Sequence, residues 1–368
     1  MVVGTVATLT TGLEFKATRL GVIMRPEAGQ PHEAWGVLNP GGVRAGDGTM
    51  QLFPRLIAEG NYSRIGRARV RFDAEKPFGV ERLGVALAPH ETYEVNAGGG
   101  GVEDPRVVFV PLLGRYVMTY TAFIPYEPRV AVAVSTDLVT WQRLGCLRFD
   151  VMADGCDLNT CGNKDAAFFP EVVSDPQGVP SFAILHRPTT RLHYRRHHDG
   201  TKVVQPPSGD ETQEHIWISY VAANSVLADI ANLTAVRRHE PIMAPEQLWE
   251  TKKVGTGAPP MRVNDGWLLT YHAVSAPNGH SRYCMGVAIL DAERPARVRY
   301  RSPSPILEPH EEYERNGLVN EVIFPSATDR RADGAIDVYY GAADHVIAVA
   351  RLTMHGALPT GRATANGA

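Results

Sequence analysis

The sequence predicts an all-β protein, a five-bladed β-propeller, on three observations. Helix signals are scarce along the 368 residues. Short β-rich runs bounded by Gly, Pro, Asp and Asn recur from end to end, among them Tyr116-Val-Met-Thr-Tyr120, Ser181-Phe-Ala-Ile-Leu185, Ile216-Trp-Ile-Ser-Tyr220 and Val346-Ile-Ala-Val-Ala350. Such spacing fits a large sandwich or a propeller. The third observation, an internal repeat, favours the propeller.

The repeated unit is a hairpin whose second strand carries small residues. Gly48-Thr-Met-Gln-Leu-Phe53 pairs with Ser63-Arg-Ile-Gly-Arg-Ala68. Gly114-Arg-Tyr-Val-Met-Thr-Tyr120 is followed by Arg129-Val-Ala-Val-Ala-Val134 and the turn Ser135 to Trp141. Asp265-Gly-Trp-Leu-Leu-Thr-Tyr271 precedes Tyr283-Cys-Met-Gly-Val-Ala-Ile-Leu290, and Gly334-Ala-Ile-Asp-Val-Tyr-Tyr340 precedes His345-Val-Ile-Ala-Val-Ala350. These four copies and the Gly162 to Tyr220 region make about five blades. A blade is too thin to own a core, so blades stack around a channel, and the active site belongs at one of its mouths. Residues 1–355 form one domain in this reading, and 356–368, rich in small residues, a tail that frays. The loops at Gly60 and Asn61 and at Pro206 to Asp210 read as surface excursions, and Glu308 to Glu314 as a short helical turn.

Composition narrows the partners. With 44% apolar residues the chain fills a substantial core, and 37 basic against 40 acidic side chains create no global field for nucleic acid or an anionic bilayer. Any anion site is therefore local. No stretch approaches a membrane span and the N-terminus lacks secretory features, so the expectation is a cytoplasmic protein. Cys146, Cys156, Cys161 and Cys284 have neither zinc-ligand spacing nor disulfide-scaffold density and read as free thiols.

Candidate chemistry begins at Gly101-Val-Glu-Asp-Pro-Arg106. Glu103 and Asp104 adjoin at a strand start, and the alternation of a strand lets only one of them face a given cavity. Other polar loops end successive blades: Lys164-Asp165, His186-Arg-Pro188, Trp249 to Pro260 with Lys253, His272, and Asp344. Singly, each reads as a solvated charge or a satisfied hydrogen-bonder. Together at blade ends they make a cationic cluster facing carboxylates. A polar, aromatic-lined funnel suits a sugar, and cations where a base would otherwise stand point to phosphate as the attacking group.

These blocks resemble glycoside hydrolase family 130, the mannoside phosphorylases, from about Pro31 to Ala350. The resemblance rests on Leu38-Asn-Pro-Gly41, Gly101 to Arg106, Met118-Thr-Tyr-Thr-Ala122, Lys164 to Ala167, Phe169-Pro-Glu171, His186-Arg-Pro188, Trp249 to Pro260, Tyr271-His272, Arg301-Ser-Pro303 and Tyr340 to Asp344. It implies a five-bladed propeller that cleaves terminal β-mannosidic bonds with inversion, transferring the mannosyl unit to phosphate to give α-mannose 1-phosphate. The proton donor falls on Asp104, acting through the mannosyl 3-hydroxyl and requiring a raised pKa. Phosphate falls on Lys164, Arg187, Lys253 and His272, and the mannosyl unit on Asn39, Arg55, Asp165 and Asp344, with Tyr283 and Phe324 as walls. Glu103 is expected to orient Arg106 or a sugar hydroxyl. The implied partners are a β-mannoside oligosaccharide and phosphate as co-substrate, with no metal or other cofactor; self-association is left open. Loops 150–162 and 203–215 are candidate roofs of the acceptor side. The rival readings are a β-1,2-mannosidase-type hydrolase of the same family and a non-catalytic carbohydrate-binding propeller.

Overall fold

The computed structural model describes residues 12–95, 99–123, 127–153, 155–190, 193–196, 202–205 and 213–358. Its first strand, β1 (Glu14–Met24), belongs to the last blade. Blade I follows as β2 (Gly36–Arg44), β3 (Met50–Ala58), β4 (Tyr62–Asp73) and β5 (Lys76–Leu87). Blade II is β6 (Gly100–Val110), β7 (Arg115–Phe123), β8 (Arg129–Ser135) and β9 (Gln142–Cys146). Blade III is β10 (Asn163–Phe168), β11 (Pro180–Thr190), β12 (Ile216–Ala222) and β13 (Ala235–Met243). Blade IV is β14 (Lys253–Thr256), β15 (Gly266–Ser275), β16 (Arg282–Leu290) and β17 (Val298–Arg301). Blade V is β18 (Ile323–Arg330), β19 (Ile336–Ala342) and β20 (Val346–His355), completed by β1, which pairs antiparallel with β20.

The sequence repeats are therefore the two middle strands of each blade. Register confirms the pairings: Leu52 opposite Ala68, Met118 opposite Ala133, Leu185 opposite Ile218, Leu269 opposite Ala288 and Val338 opposite Ala350. The innermost strands, β2, β6, β10, β14 and β18, are the polar motif segments that precede each repeat. The small residues thus sit on the third strand of each blade, two strands out from the innermost, where they let adjacent blades approach.

Apolar burial follows the seams between blades. Cluster by cluster, the core joins blades I and II around Phe53, Met118 and Trp141; II and III around Val132, Phe168 and Trp217; III and IV around Phe169, Ile218 and Trp267; IV and V around Met285, Ile323 and Tyr340; and V and I around Leu52, Tyr339 and Val349. Strand alternation produces this: along β12, Ile216 and Ile218 face blade IV while Trp217 faces blade II.

A second repeat, not expected from sequence, fastens the blades. Glu94, Glu250 and Glu314, each in the loop before a blade, are fully buried. Each accepts from two backbone N–H groups three and four residues upstream, from a tyrosine hydroxyl on the second strand (Tyr120, Tyr271, Tyr340) and from an arginine on the fourth (Arg143, Arg301, Arg19). Their signature is an aromatic residue directly before the acid, as in Tyr93-Glu94, Trp249-Glu250 and Tyr313-Glu314. Blade I keeps the buried acid and the fourth-strand arginine, Glu33 with Arg82, and there Glu33 accepts from the Glu27 backbone N–H. The helical turn expected at 308–314 is a short α-helix, Glu312–Arg315, capped by Glu311.

All four cysteines are free thiols. Among the described residues no helix is long and apolar enough to cross a membrane. The tail expected to fray over 356–368 is packed at Leu358, which is buried in the core between blades IV and V, while 359–368 and the excursion at Pro206 to Asp210 lie outside the described residues. Loop 150–162 packs Leu158 into the core between blades II and III, so its expected role as a roof is not what places it.

Candidate active site

Backbone geometry makes the site. Asn39, Asp104 and Asp165 occupy the same position on three consecutive inner strands, all with left-handed backbone (φ 43°, 46° and 52°). At each, register with the next strand jumps, between Leu38 and Gly41, Glu103 and Arg106, and Lys164 and Ala167. These are bulges, and Asn and Asp tolerate the left-handed region better than other side chains with a Cβ. Each bulge breaks alternation. Glu103 and Asp104 consequently both reach Arg55, against the expectation that only one of them faces the cavity.

On the blade I–II side, Asn39 Nδ2 donates to Asp104 Oδ1 at 2.9 Å, and Arg55 Nη1 lies 3.3 Å from the same oxygen. Arg55 Nη2 donates to Glu103 Oε1 at 2.6 Å, and its Nε to Ser63 Oγ at 2.9 Å. Glu103 therefore fixes Arg55 and not Arg106. Arg106 instead crosses the channel: Nη1 donates to the Asp104 carbonyl (2.8 Å), Nη2 to the Thr256 carbonyl (2.9 Å) and Nε to the Gly257 carbonyl (3.1 Å), with Phe324 against the guanidinium plane. It ties blade II to blade IV through the centre. Sequence reasoning passed over Arg106 as a site residue, although it stands in the Glu-Asp-Pro-Arg block.

The blade III–IV side gathers the cations. Lys164 and Arg187 face each other across β10 and β11. Arg187 Nε donates to Asp165 Oδ2 at 2.7 Å, and its Nη1 is ion-paired with Glu214. Lys253 Nζ lies 3.8 Å from Glu214 Oε1 and over the Tyr283 ring. His272 is buried with its ring stacked on Phe324 at 4.3 Å and facing Tyr283 at 6.1 Å, so both expected wall residues line it. Gly255 makes this packing feasible, because a Cβ there would fall on the His272 ring and 2.6 Å from Asp165 Oδ2. Asp344, in the turn between β19 and β20, takes φ 50° and is close enough to Arg55 and Asp104 to feel both charges.

Electrostatics correct two expectations. Burial alone would raise the Asp104 pKa, but the charges of Arg55, Lys164 and Arg106 and the Asn39 hydrogen bond outweigh it, and the group lies below its ordinary value. Asp104 is a carboxylate here and not the raised acid expected. The raised carboxyl is Asp344, pushed up to about 6 by burial and by Asp104 and Glu103, against the pull of Arg55. His272 is likewise no cation: burial, with Arg187 and Arg106 nearby, pushes it down to about 3 despite Asp165 at 3.5 Å. Lys253 falls to about 8, through burial and the neighbouring Arg187. Asp165, whose burial is overcome by Arg187, His272 and Arg106, is held well below the carboxylate range.

Several buried polar atoms here have no hydrogen-bond partner among the described residues: Asn39 Oδ1, Thr256 Oγ1 and both nitrogens of His272. Buried polar groups are normally satisfied, so a cluster of unpaired ones at a channel mouth marks a place for a polar ligand. No group of His, Cys, Asp or Glu among the described residues is disposed to hold a metal ion.

Residues 16–358 match the profile of glycoside hydrolase family 130, described as β-1,4-mannooligosaccharide phosphorylase. The chain belongs to that family. A 1,2-β-oligomannan phosphorylase of Thermoanaerobacter sp. (strain X514) is 30% identical over 339 residues, covering 90% of this chain and 95% of the relative. A β-1,4-mannooligosaccharide phosphorylase of Ruminococcus albus is 28% identical across 74% of this chain and 69% of its own length. Among solved structures, the β-1,2-mannobiose phosphorylase of Listeria innocua in complex with β-1,2-mannobiose superposes with a TM-score of 0.66 at 21% identity, covering 92% of this chain and 96% of the other. At that identity the likeness speaks for the five-bladed fold alone.

Proposed function

We propose that this family 130 member is an inverting β-mannoside phosphorylase. Lys164, Arg187, Lys253 and His272 hold phosphate at the seam of blades III and IV, while Asn39, Arg55, Asp165 and Asp344 bind the terminal mannosyl unit between Tyr283 and Phe324. A phosphate oxygen attacks the anomeric carbon from the face opposite the leaving sugar, the glycosidic C–O bond breaks, and the leaving oxygen takes the proton, giving α-mannose 1-phosphate. The cations lower the entropic and desolvation cost of bringing in the nucleophile.

Asp104 supplies that proton through the mannosyl 3-hydroxyl. Its ionised state in the free site suits mannoside synthesis, where it acts as base. Arg55, then Lys164 and Arg106, hold its pKa down; for phosphorolysis, bound phosphate offsets the charge of Lys164 and shifts Asp104 towards the protonated form that burial favours. Neutral His272 contributes a ring N–H donor to phosphate in place of a charge. The working form is a single catalytic propeller domain in the cytoplasm, using phosphate and no further cofactor.

The observation that carries this reading is three basic side chains converging on one seam, opposite an Asn-Asp-Arg cluster. Hydrolysis by water gives such a cluster no task, and neither does carbohydrate binding alone. The test is to incubate the protein with β-1,2- and β-1,4-manno-oligosaccharides and with mannosyl-glucose, each with and without phosphate. Mannose 1-phosphate formed only with phosphate is expected; free mannose at the same rate in both arms overturns the reading. Asp104→Asn is expected to cut turnover by about 10³ with the fold retained, the scale of lost general acid–base catalysis.

A further inference from the structure

Glu214 stands where a phosphate site has no evident use for a carboxylate. It lies on the short segment Gln213–Glu214, whose backbone pairs with Thr189 at the end of β11 and with Lys253 at the start of β14. Pairing on both sides fixes residue 214 at the seam of blades III and IV. Its two oxygens divide between two cations: Oε2 is ion-paired with Arg187 Nη1, and Oε1 is 3.8 Å from Lys253 Nζ. The other carboxylate on Arg187, Asp165, is enclosed by Arg106, Arg187 and His272 and is 1% exposed; the Glu214 side chain is 24% exposed. One acid is built in. The other can move aside.

We propose that Glu214 is a resident counter-ion of the anion site: its carboxylate bridges Arg187 and Lys253 in the free enzyme, phosphate enters by displacing it, and residue 214 thereby sets the affinity for phosphate. This rests on the assignment of Lys164, Arg187, Lys253 and His272 to phosphate. Without an anion, neighbouring basic groups repel each other and spread. Glu214 offsets that repulsion and keeps the cations in place. A phosphate dianion brings twice the charge and more acceptor oxygens, so it outcompetes the carboxylate. The competition multiplies the apparent dissociation constant by the inverse of the fraction of sites that Glu214 has left.

The test compares the phosphate KM with the mannoside KM in wild type, E214Q, E214D and R187A. Losing the competing charge in E214Q is expected to lower the phosphate KM about fivefold without a matching change in the mannoside KM, the lower end of typical coupling between sites. E214D, one methylene shorter, is expected to lie between E214Q and wild type. Inhibition by sulfate, a second tetrahedral dianion, is expected to strengthen in parallel. An unchanged or raised phosphate KM in E214Q, with R187A raising it, overturns the proposal and leaves Glu214 as a positioning residue for the cations. If R187A leaves the phosphate KM unchanged, the phosphate assignment itself fails. Phosphate-independent mannose release that is lost in E214Q would make Glu214 a base for water and also overturns the proposal.

Discussion

Lys253 and Asp344 carry charges that their surroundings oppose, and each has a consequence with pH. Lys253, at about 8, loses its charge as pH rises through that value, whereas phosphate remains a dianion. kcat/KM for phosphate is therefore expected to fall above about pH 8, by up to tenfold per pH unit once one proton governs binding. Bound phosphate holds the proton on Lys253, so kcat alone turns over at higher pH. Steady-state kinetics from pH 6 to 9.5 measure both. Asp344 has a folded pKa of about 6 against an ordinary value of 3.8. Raised in the fold, it contributes stability that is fully present below pH 3.8 and lost as pH rises through about 6. Asp344→Asn is thus expected to stabilise the protein by about 3 kcal/mol at pH 7.5, with little gain at pH 3.5, as read by thermal unfolding at each pH. Glu214 and the protonation states were beyond reach of the sequence because they depend on neighbours from other blades. Asp104 and His272 were recognisable as residues, but their charge is decided by Arg55, Lys164, Arg187 and Arg106, of which only Arg106 lies near Asp104 in the chain.

At the scale of the element, the repeated Glu-Tyr-Arg fastening and the inner-strand bulge explain why the loops hold their positions. Removing one partner of a buried ion pair leaves the other unpaired, which typically costs 3–5 kcal/mol. Glu250→Ala leaves Arg301, the Tyr271 hydroxyl and two backbone N–H groups without their acceptor. The expected loss in urea unfolding is about 3 kcal/mol or more. Because Glu250 lies three residues before Lys253, the phosphate KM is expected to rise with it. The hairpins of four blades were legible, since turn residues and period-two patterning are local; the fifth showed only as the 162–220 region, because its paired strands are separated by about 25 residues. Apart from the strand start at Glu103 and Asp104, the polar inner-strand segments were read as loops, since their bulges disrupt the very alternation by which a strand is recognised.

Across the whole molecule, closure depends on a strand that the sequence did not announce. β1 completes blade V from the opposite end of the chain, and its Arg19 binds Glu314 in the loop before that blade. Deleting β1 is expected to lower the melting temperature markedly and to broaden unfolding, as read by calorimetry. By itself the sequence determined the all-β class, the number of blades, the family and most of the residues gathered at the channel mouth, Arg106 and Glu214 excepted. Local patterning and short motifs suffice for these. Only the tertiary structure decided which acid keeps its proton, that His272 is neutral, that Glu214 sits between Arg187 and Lys253, and how the ring closes. Each of these is a property of side chains and strands that are distant in sequence, brought within a few ångströms by the stacking of blades around a common axis.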